Sequence, residues 1–409
     1  MDAAASDMHD VLIVGGGLVG ASLAIALDAH GLDVGMVEAT RPGSLPAVFD
    51  ERNLSFADAT VNALNALGVL QALREPGEPI RRIHVSRKGD FGRVLLRAPD
   101  YGREAFGQVV VARDFGEALE TRLAGLASLT RYRPARFVAL GEPTPDDDHR
   151  SVHVETPDGT RTLHTRLLVA ADGTRSGVRD ALAIACDEHD YGQSLFVARV
   201  RTGRAPDGTA YERLGDDGPT ALLPRSDRHY GLVHGVASAD APEVQAMGDP
   251  EFLARVQQAF GWRAGKLQSV GARSVYPALR VAASRTIAPR AVLVGNAAQT
   301  MHPIGAQGFN LGLRDALTLA ELIGERPGDP GAPDLLESHA ARRAEDRRRT
   351  LAFTDGLARL ASGKAPALSP LRSLGLLALD RSASAQAFLA GGAMGYRGDV
   401  PALCRPGGS

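Results

Sequence analysis

The residues with the clearest chemical pattern lie near the start of the chain, in VLIVGGGLVGASLAIALDAHGLDVGMVE, residues 11–38. Gly15, Gly17 and Gly20 form G-x-G-x-x-G between a short apolar strand and a predicted helix. The first glycine allows a tight turn, the second lets a pyrophosphate approach the backbone, and the third lets helix and strand pack closely. Glu38 ends the next predicted strand, where a carboxylate accepts hydrogen bonds from ribose hydroxyls. The pattern predicts a dinucleotide site for FAD or NAD, and the acid disfavours NADP.

Two later segments also place polar or very small residues directly after an apolar strand. Leu167 to Ala171 is followed by Asp172 and Gly173, which suit either a polar contact with a cofactor or an ordinary Asp-Gly turn. GNAAQTMHPIGAQGFN, 295–310, carries little side-chain bulk between a predicted strand and a predicted helix. Its candidate contact residues are Asn296, His302, Pro303, Gly308 and Asn310.

Two arginines lie at junctions between a predicted strand and a predicted helix. Arg52 belongs to DERNLSF, 50–56, and could reach a phosphate or the edge of a flavin, or form a surface salt bridge. Arg113 belongs to QVVVARDFGEALETRLA, 108–124, and could meet an anion or a ring, or remain exposed without a ligand.

The elements that position these residues change in character along the chain. Strands followed by helices dominate the first part and predict a parallel sheet. From 192 to 286 short alternating runs bounded by turns predict an antiparallel sheet, interrupted by one helix near 250–260. The segment 80–107 could add strands to that sheet. RRAEDRRR, 342–349, is interpreted as a solvated helix face rather than a nucleic-acid patch, because acids interrupt it.

The composition of the whole chain argues against several classes of protein. A length of 409 residues is too long for one ordinary core and predicts two domains. A net charge of −2 argues against a nucleic-acid partner. Cys186 and Cys404 form no Cys-x-x-Cys pair, so we expect no disulfide framework, no metal site and a reducing compartment. The sequence contains no run of about 18 apolar residues, so it predicts no membrane-spanning helix. MDAAASDMHD lacks the basic flank and apolar run of a signal peptide, so a cytoplasmic location is expected.

The three strand ends together resemble the group A flavoprotein monooxygenases, which have the para-hydroxybenzoate hydroxylase fold. The third motif, G-N-A-A-Q-T-x-H-P-I followed by G-F-N-L-G-x-R-D, is similar to that of the ubiquinone-biosynthesis hydroxylases, and within them to the 2-polyprenyl-6-methoxyphenol hydroxylases. D-x-R at 50–52 and the tail GAMGYRGDVPALCRPG, 392–407, resemble the same branch. The resemblance thus touches both ends and the middle of the chain.

The chain departs from the family motifs at several positions. Asn296 replaces an Asp, Gln299 replaces a His, and Ala306 replaces the middle Gly of the third motif, although Gly305 is adjacent. Phe56 and Ala57 occupy the last two places of D-x-R-x-x-x-L-S.

The resemblance implies an enzyme that binds FAD, takes electrons from NAD(P)H and uses O2 to form a C4a-hydroperoxyflavin, which hydroxylates a phenol ring. The implied substrate is a prenylated phenol of ubiquinone biosynthesis. Little bulk is then needed at 295–310 because the backbone approaches a flat ring, and a helix from about Asn310 directs N–H groups at the flavin. His302 is the titratable side chain beside the expected flavin, or a structural histidine of the loop, and Pro303 would stiffen the loop facing the ring.

The implied fold is α/β, with a Rossmann-like FAD-binding domain of the glutathione-reductase type, an interleaved antiparallel-sheet substrate domain and a helical C-terminal region. The expected segments are 1–79, 108–191 and 287–325 for FAD, 80–107 and 192–286 for substrate, and 326–409 for the C-terminal region. The apolar part near 370–395 could dock on the inner membrane face or on other quinone-biosynthesis proteins, or pack within the protein. Two alternatives remain: a hydroxylase of another aromatic or secondary-metabolite ring, and a non-catalytic flavin-binding subunit.

Overall fold

A computed structural model describes residues 7–47, 49–142, 148–361 and 369–407. Residues 1–6, on which the signal-peptide argument partly rests, lie outside this set, as do 143–147 and 362–368 of the predicted segments. The strands are, in chain order, β1 (Met8–Val14), β2 (Val34–Val37), β3 (Asn53–Ala57), β4 (Glu78–Pro79), β5 (Arg82–Arg87), β6 (Arg93–Arg97), β7 (Gly107–Val111), β8 (Leu129–Tyr132), β9 (Arg136–Leu140), β10 (Arg150–Thr156), β11 (Gly159–Ala170), β12 (Cys186–Thr202), β13 (Thr209–Leu214), β14 (Thr220–Pro224), β15 (Tyr230–Ala237), β16 (Leu267–Val270), β17 (Ser274–Ala283), β18 (Ile287–Ala288), β19 (Ala291–Leu293) and β20 (Gln299–Thr300). The helices are α1 (Leu18–Leu27), α2 (Asp58–Ala66), α3 (Ala112–Leu123), α4 (Gly177–Ala181), α5 (Ala241–Ala246), α6 (Asp249–Phe260), α7 (Gln307–Glu325), α8 (Pro333–Ala361), α9 (Ser369–Arg381) and α10 (Ala383–Met394).

The first sheet has a parallel core that brings three strand ends together. Its strand order is β18-β19-β11-β1-β2-β8, and β10 joins β11 to β9. Val14 pairs with Ala170, and Ala170 pairs with Leu293, so β1, β11 and β19 end side by side. These strands are apolar because helices and strands cover both faces of a parallel sheet. The predicted α/β fold with a Rossmann-like core is confirmed.

The second sheet is largely antiparallel and includes the short alternating runs. Its order is β20-β17-β12-β15-β14-β13-β5-β6, with β16 paired to β12. The segment near 80–107 supplies β5 and β6, as predicted, and α6 matches the helix expected near 250–260. β12 begins at Cys186 and β20 comes from the third motif, so strands of this sheet lie in segments assigned to the FAD-binding domain. The division into those segments stays a prediction.

The C-terminal helices pack against both sheets. α8 lies along α7, while α9 packs on β6, where the Asp380 carboxylate accepts a hydrogen bond of 2.8 Å from the Leu95 backbone N–H. Within the described ranges, no helix combines the length and apolar character needed to cross a bilayer.

The interpretation of RRAEDRRR as a solvated helix face is wrong for part of the run. Arg343 and Asp346 are buried, and the Asp346 carboxylate binds Arg314 of α7 at 2.7 Å and also pairs with Arg343. Arg343 reaches Asp315 at 2.7 Å as well. The arginines and aspartates of α7 and α8 form ion pairs with one another there, and this pairing compensates the cost of burying their charges.

The end of α1 and the start of α7 can be compared with the helix boundaries predicted from the sequence. α1 ends at Leu27, a short 3-10 helix follows, and Gly31 then adopts a left-handed conformation with φ 67°, as predicted for the helix stop. The helix expected from about Asn310 begins at Gln307 instead, because the left-handed Gly305 and Ala306 immediately before it set its start.

Candidate active site

The glycine loop has the geometry that its spacing predicts. Gly15 has φ 111°, and a Cβ there would lie 2.4 Å from the carbonyl oxygen of Ala171. A Cβ on Gly20 would lie 2.0 Å from the Gly15 carbonyl oxygen, so only glycine lets α1 pack this closely on the loop. A Cβ on Gly17, outside its neighbours and its own helix, would meet no described atom within 4 Å. The second glycine therefore faces open space at the start of α1.

Glu38 is buried at the end of β2 and lies against the same loop. Its carboxylate accepts hydrogen bonds from Arg131 at 2.8 and 3.0 Å, and Arg133 approaches to 3.5 Å. Arg131 also binds Glu120. A Cβ on Gly16 would lie 2.1 Å from Glu38 Oε1, so the carboxylate covers the loop backbone. Sequence reasoning missed Arg131, which the parallel pairing of β8 with β2 brings into place.

Asp172 shapes the turn that follows β11. Its carboxylate accepts a 2.5 Å hydrogen bond from the Ser176 hydroxyl and one of 3.2 Å from the Val178 backbone N–H. Burial raises the pKa of Asp172 above its usual value, although these hydrogen bonds oppose the shift. Gly173 has φ 92° and would carry a Cβ into open space. The predicted Asp-Gly turn is therefore present, beside the glycine loop.

The two candidate arginines both lie in ion pairs. Arg52 binds Asp50 at 2.8 and 2.9 Å, and its guanidinium lies 4.2 Å from the centre of the Tyr276 ring. The Tyr276 hydroxyl donates to the same Asp50 carboxylate at 2.5 Å. Arg113 pairs with Glu51 at 2.7 Å and has a side chain that is 53% exposed. Arg52 matches its salt-bridge alternative, whereas Arg113 is exposed as its alternative expected but pairs with Glu51; contact of either arginine with a cofactor stays a prediction.

The third motif packs tightly against α1 before it opens into a left-handed loop. A Cβ on Gly312 would lie 2.8 Å from the Gly295 Cα and 3.0 Å from Val19, so α7, α1 and the end of β19 meet there. Ala306 has φ 52° and ψ 39°, a conformation that costs an L-residue about 1–2 kcal/mol. The alanine that replaces the motif glycine thus retains the glycine conformation.

Residues of the motif divide between those that face open space and those that hold the loop. Asn296, Pro303 and Gly305 are exposed, and a Cβ on Gly308 would meet no described atom within 4 Å outside its own helix. Asn310 is buried: its side-chain oxygen accepts from the Ala57 backbone N–H at 2.9 Å, and its NH2 donates to two backbone carbonyls. The Asn310 side chain therefore joins α7 to β3, and a cofactor contact by it stays a prediction.

His302 is fully engaged by its own surroundings. Its Nδ1 accepts a hydrogen bond from the Ile304 backbone N–H at 3.1 Å, and Nε2 lies 3.1 Å from the side-chain oxygen of Gln193. Nε2 must then carry the proton and donate it. Burial lowers the pKa of His302 to about 4, so the ring is neutral at physiological pH. This arrangement favours the structural alternative over a proton-transfer role.

Gln299 shows what replaces the family histidine. Its side-chain NH2 donates to Asp315 at 2.7 Å and its oxygen accepts from Arg347 at 2.8 Å. The amide thus connects the strand end to the buried charges between α7 and α8. Nothing in the local sequence indicates this contact, because its partners lie 16 and 48 residues away.

The site as a whole forms a cradle of backbone at the adjoining ends of β1, β11 and β19. Gly17, Gly173 and Gly308 all face space in which no described protein atom would meet a Cβ. The N-terminus of α1 presents free N–H groups and a positive dipole beside the first of these glycines. Such a cradle fits a long, flat dinucleotide with an anionic centre. In the described ranges, no three His, Cys, Asp or Glu side chains are grouped to hold a metal ion.

Comparison with known proteins agrees with this geometry. Residues 8–354 match the model of a family described as an FAD binding domain. The ubiquinone hydroxylase UbiL of Rhodospirillum rubrum is 37% identical over 92% of this chain and 87% of its own length. The 3-demethoxyubiquinol 3-hydroxylase of Escherichia coli is 29% identical over 91% of this chain and 95% of its own. The crystal structure of p-nitrophenol 4-monooxygenase PnpA from Pseudomonas putida superposes with a TM-score of 0.78, covering 96% and 98% of the two chains at 17% identity, and shows the shared fold. Since the family model spans most of the sequence, the chain belongs to the FAD-binding domain family of flavin-dependent hydroxylases.

Proposed function

We propose that this protein is an FAD-dependent monooxygenase that hydroxylates the ring of a polyprenylated phenol in ubiquinone biosynthesis. The observation that carries the proposal is the 37% identity to a ubiquinone hydroxylase over 92% of the chain. Reductant and oxidant are NAD(P)H and O2, as in enzymes of this type. FAD, when bound, supplies the redox and oxygen chemistry.

The protein's own groups hold and orient the cofactor. Gly15 and Gly20 fix the loop, and the open backbone at Gly17 with the N-terminus of α1 receives the pyrophosphate. Glu38, held in place by Arg131, accepts from the adenosine ribose. Asp172 and the exposed Asn296 lie at neighbouring strand ends and contact the remaining polar atoms.

The loop from His302 to Gly305 lies against the second sheet. Ile304 packs against Leu214 of β13, so an apolar surface of the second sheet lies directly beside the loop. An electron-rich ring bound there is oriented by shape, and closure of the apolar wall excludes water from the reacting atoms. In this arrangement 80–107 and 192–286 cover the substrate, and the prenyl chain follows the apolar surface.

A cytoplasmic location with peripheral attachment to the inner membrane face fits a water-insoluble prenylated substrate. One face of α9 packs on β6, while its opposite face and α10 expose Leu371, Leu374 and Phe388 at 68%, 58% and 58%. Exposed apolar side chains on neighbouring helices favour contact with lipid. Replacing these three residues by serine should abolish flotation with anionic vesicles while leaving hydroxylation of a short-chain substrate unchanged. Flotation that persists would contradict this surface.

The function is tested with purified protein and with cells. The protein should be yellow and should oxidise NAD(P)H with formation of a hydroxylated product when a short-chain 2-prenylphenol is supplied. A deletion strain should accumulate a quinone precursor that lacks one ring hydroxyl, detected by mass spectrometry. Hydroxylation of soluble phenols with normal ubiquinone in the deletion strain would favour the alternative aromatic hydroxylase. A yellow protein that is inert toward every phenol would favour the flavin-binding subunit.

A further inference from the structure

A carboxylate on the second sheet faces the loop of the third motif. Glu212 lies on β13 between Ala210 and Leu214, and Leu214 packs against Ile304 of the loop. The backbone N–H of Gly305, an exposed residue of that loop, lowers the pKa of the Glu212 carboxylate, which places this N–H close to the carboxylate. Glu212 is thus the acidic side chain that the second sheet brings to the loop beside the cofactor cradle.

One oxygen of this carboxylate accepts no hydrogen bond from the described residues. Glu212 Oε1 is buried and has no hydrogen-bond partner among the described residues. A buried acceptor without a partner costs about 1–3 kcal/mol, so a hydrogen-bond donor at this oxygen would be stabilising. A hydroxyl group donated by a bound ligand would satisfy it.

The neighbours of Glu212 supply little charge to stabilise its ionised form. Its cross-strand partners are Val85 on β5 and Ala221 on β14, neither of which titrates. The cation on this face of β5 is Arg87, which lies opposite Leu214 and pairs with Asp90 at 3.7 Å and with Asp216. The loop contributes the Gly305 backbone, and α8 approaches it with Phe353 and Leu357, which do not titrate.

These surroundings favour a proton acceptor that works near neutral pH. Burial raises the pKa of Glu212 to about 7, and the nearby Gly305 backbone N–H opposes the shift only in part. A general base is most effective when its pKa lies near the working pH. His302, by contrast, is buried and has both ring nitrogens engaged.

We propose that Glu212 is the catalytic base that accepts the phenolic proton of the substrate through Oε1. The substrate O–H bond breaks, its electron pair stays on the phenol oxygen, and the proton forms the neutral carboxylic acid of Glu212. The phenolate then donates electron density to the ring carbons next to and opposite its oxygen, which makes them better nucleophiles toward the oxygen that is transferred. The proton leaves to solvent after turnover. This inference rests on the proposed function.

The test compares Glu212→Gln with wild type on two substrates. One is a short-chain 2-prenylphenol, and the other is its ring-fluorinated analogue, which ionises at lower pH and therefore depends less on a base. Glu212→Gln should keep its FAD and lower kcat on the prenylphenol about a hundredfold or more, a typical effect of removing a general base. The loss should be much smaller on the fluorinated phenol. Wild-type kcat should fall as the pH drops through about 7, and the variant should lack that dependence.

Three further outcomes decide between this role and others. Glu155→Gln, an exposed glutamate on β10, is the matched control and should behave as wild type. An equal loss of activity on both substrates, an unchanged kcat on the prenylphenol, or loss of FAD from Glu212→Gln would overturn the assignment of the base. A wild-type enzyme that retains FAD and hydroxylates neither phenol would instead overturn the proposed function, whatever the variant does.

Discussion

Gly17→Val should weaken FAD binding strongly while changing the stability of the protein only slightly. Gly17 caps α1 with φ −78° and ψ −167°, an extended conformation that valine also adopts, and no described atom beyond its neighbours and its helix lies within 4 Å of its Cβ position. The protein itself therefore accommodates the side chain. Its expected cost is the poorer helix cap, about 0.5–1 kcal/mol. This is small beside a typical free energy of unfolding of about 5–15 kcal/mol.

The same side chain fills the space in which the pyrophosphate must approach the backbone. We expect FAD affinity to fall at least about a hundredfold, equivalent to about 2.8 kcal/mol. Purified Gly17→Val should be colourless, and its far-ultraviolet circular dichroism and urea midpoint should stay close to those of wild-type apoprotein. Flavin titration followed by fluorescence quenching measures the affinity.

Gly248→Val supplies the matched control. Gly248 also caps a helix, α6, in an extended conformation with φ −64° and ψ 161°, and the one atom near its Cβ position is Pro250 Cδ at 3.8 Å. It should lose the same small stability and keep its FAD. Wild-type flavin affinity in Gly17→Val, or an apoprotein much less stable than that of the control, would refute the placement of the pyrophosphate at this loop.

Four further results are expected. Ala306→Gly should raise the free energy of unfolding by about 0.5–1 kcal/mol in urea titrations. This net gain is the backbone strain that is relieved at the left-handed alanine minus the conformational entropy that glycine adds to the unfolded chain. A loss of stability would contradict this. Glu38→Gln should weaken FAD binding by about 1–3 kcal/mol, since the amide is a poorer acceptor for ribose hydroxyls; unchanged affinity by flavin titration would remove Glu38 from the site. Asn296→Asp should keep FAD with a modestly lower flavin potential in dye-coupled titration, while Asn296→Leu should lose flavin; full occupancy and unaltered potential in the leucine variant would remove Asn296 from the site. Burial lowers the pKa of His302 and of His234 from 6.5 to about 4. Between pH 6.5 and 4 the unfolded chain therefore binds protons that the folded chain does not, and the free energy of unfolding should fall as the pH falls. A free energy of unfolding that stays constant over this pH range would contradict the neutral, buried state of the two histidines.

The glycine loop could be predicted in detail because its constraints are local. Gly15, Gly17 and Gly20 lie within six residues, and the steric needs of a turn, a helix cap and a strand contact follow from that spacing alone. The alternating runs of the second sheet were predictable for the same reason, since the side chains of a strand repeat with a period of two residues. The family resemblance of the third motif added the cofactor class to this local reasoning.

Contacts between distant segments depended on the tertiary structure. Arg131 reaches Glu38 across 93 residues because β8 pairs with β2, and Arg343 with Asp346 is buried because α8 lies on α7. In their own segments, Arg131, Arg343 and Asp346 look like ordinary surface charges.

The sequence by itself determined the α/β fold, the glycine loop and the three strand ends that we propose face the cofactor, because these follow from short-range periodicity and backbone sterics. Only the tertiary structure decided which side chains in that region are free to react. His302, the titratable residue that the motif singles out, has both nitrogens engaged, whereas Glu212, in a strand without any motif, keeps a buried oxygen without a partner among the described residues. Hydrogen bonding and desolvation set these states, and both depend on which distant segments the fold brings together.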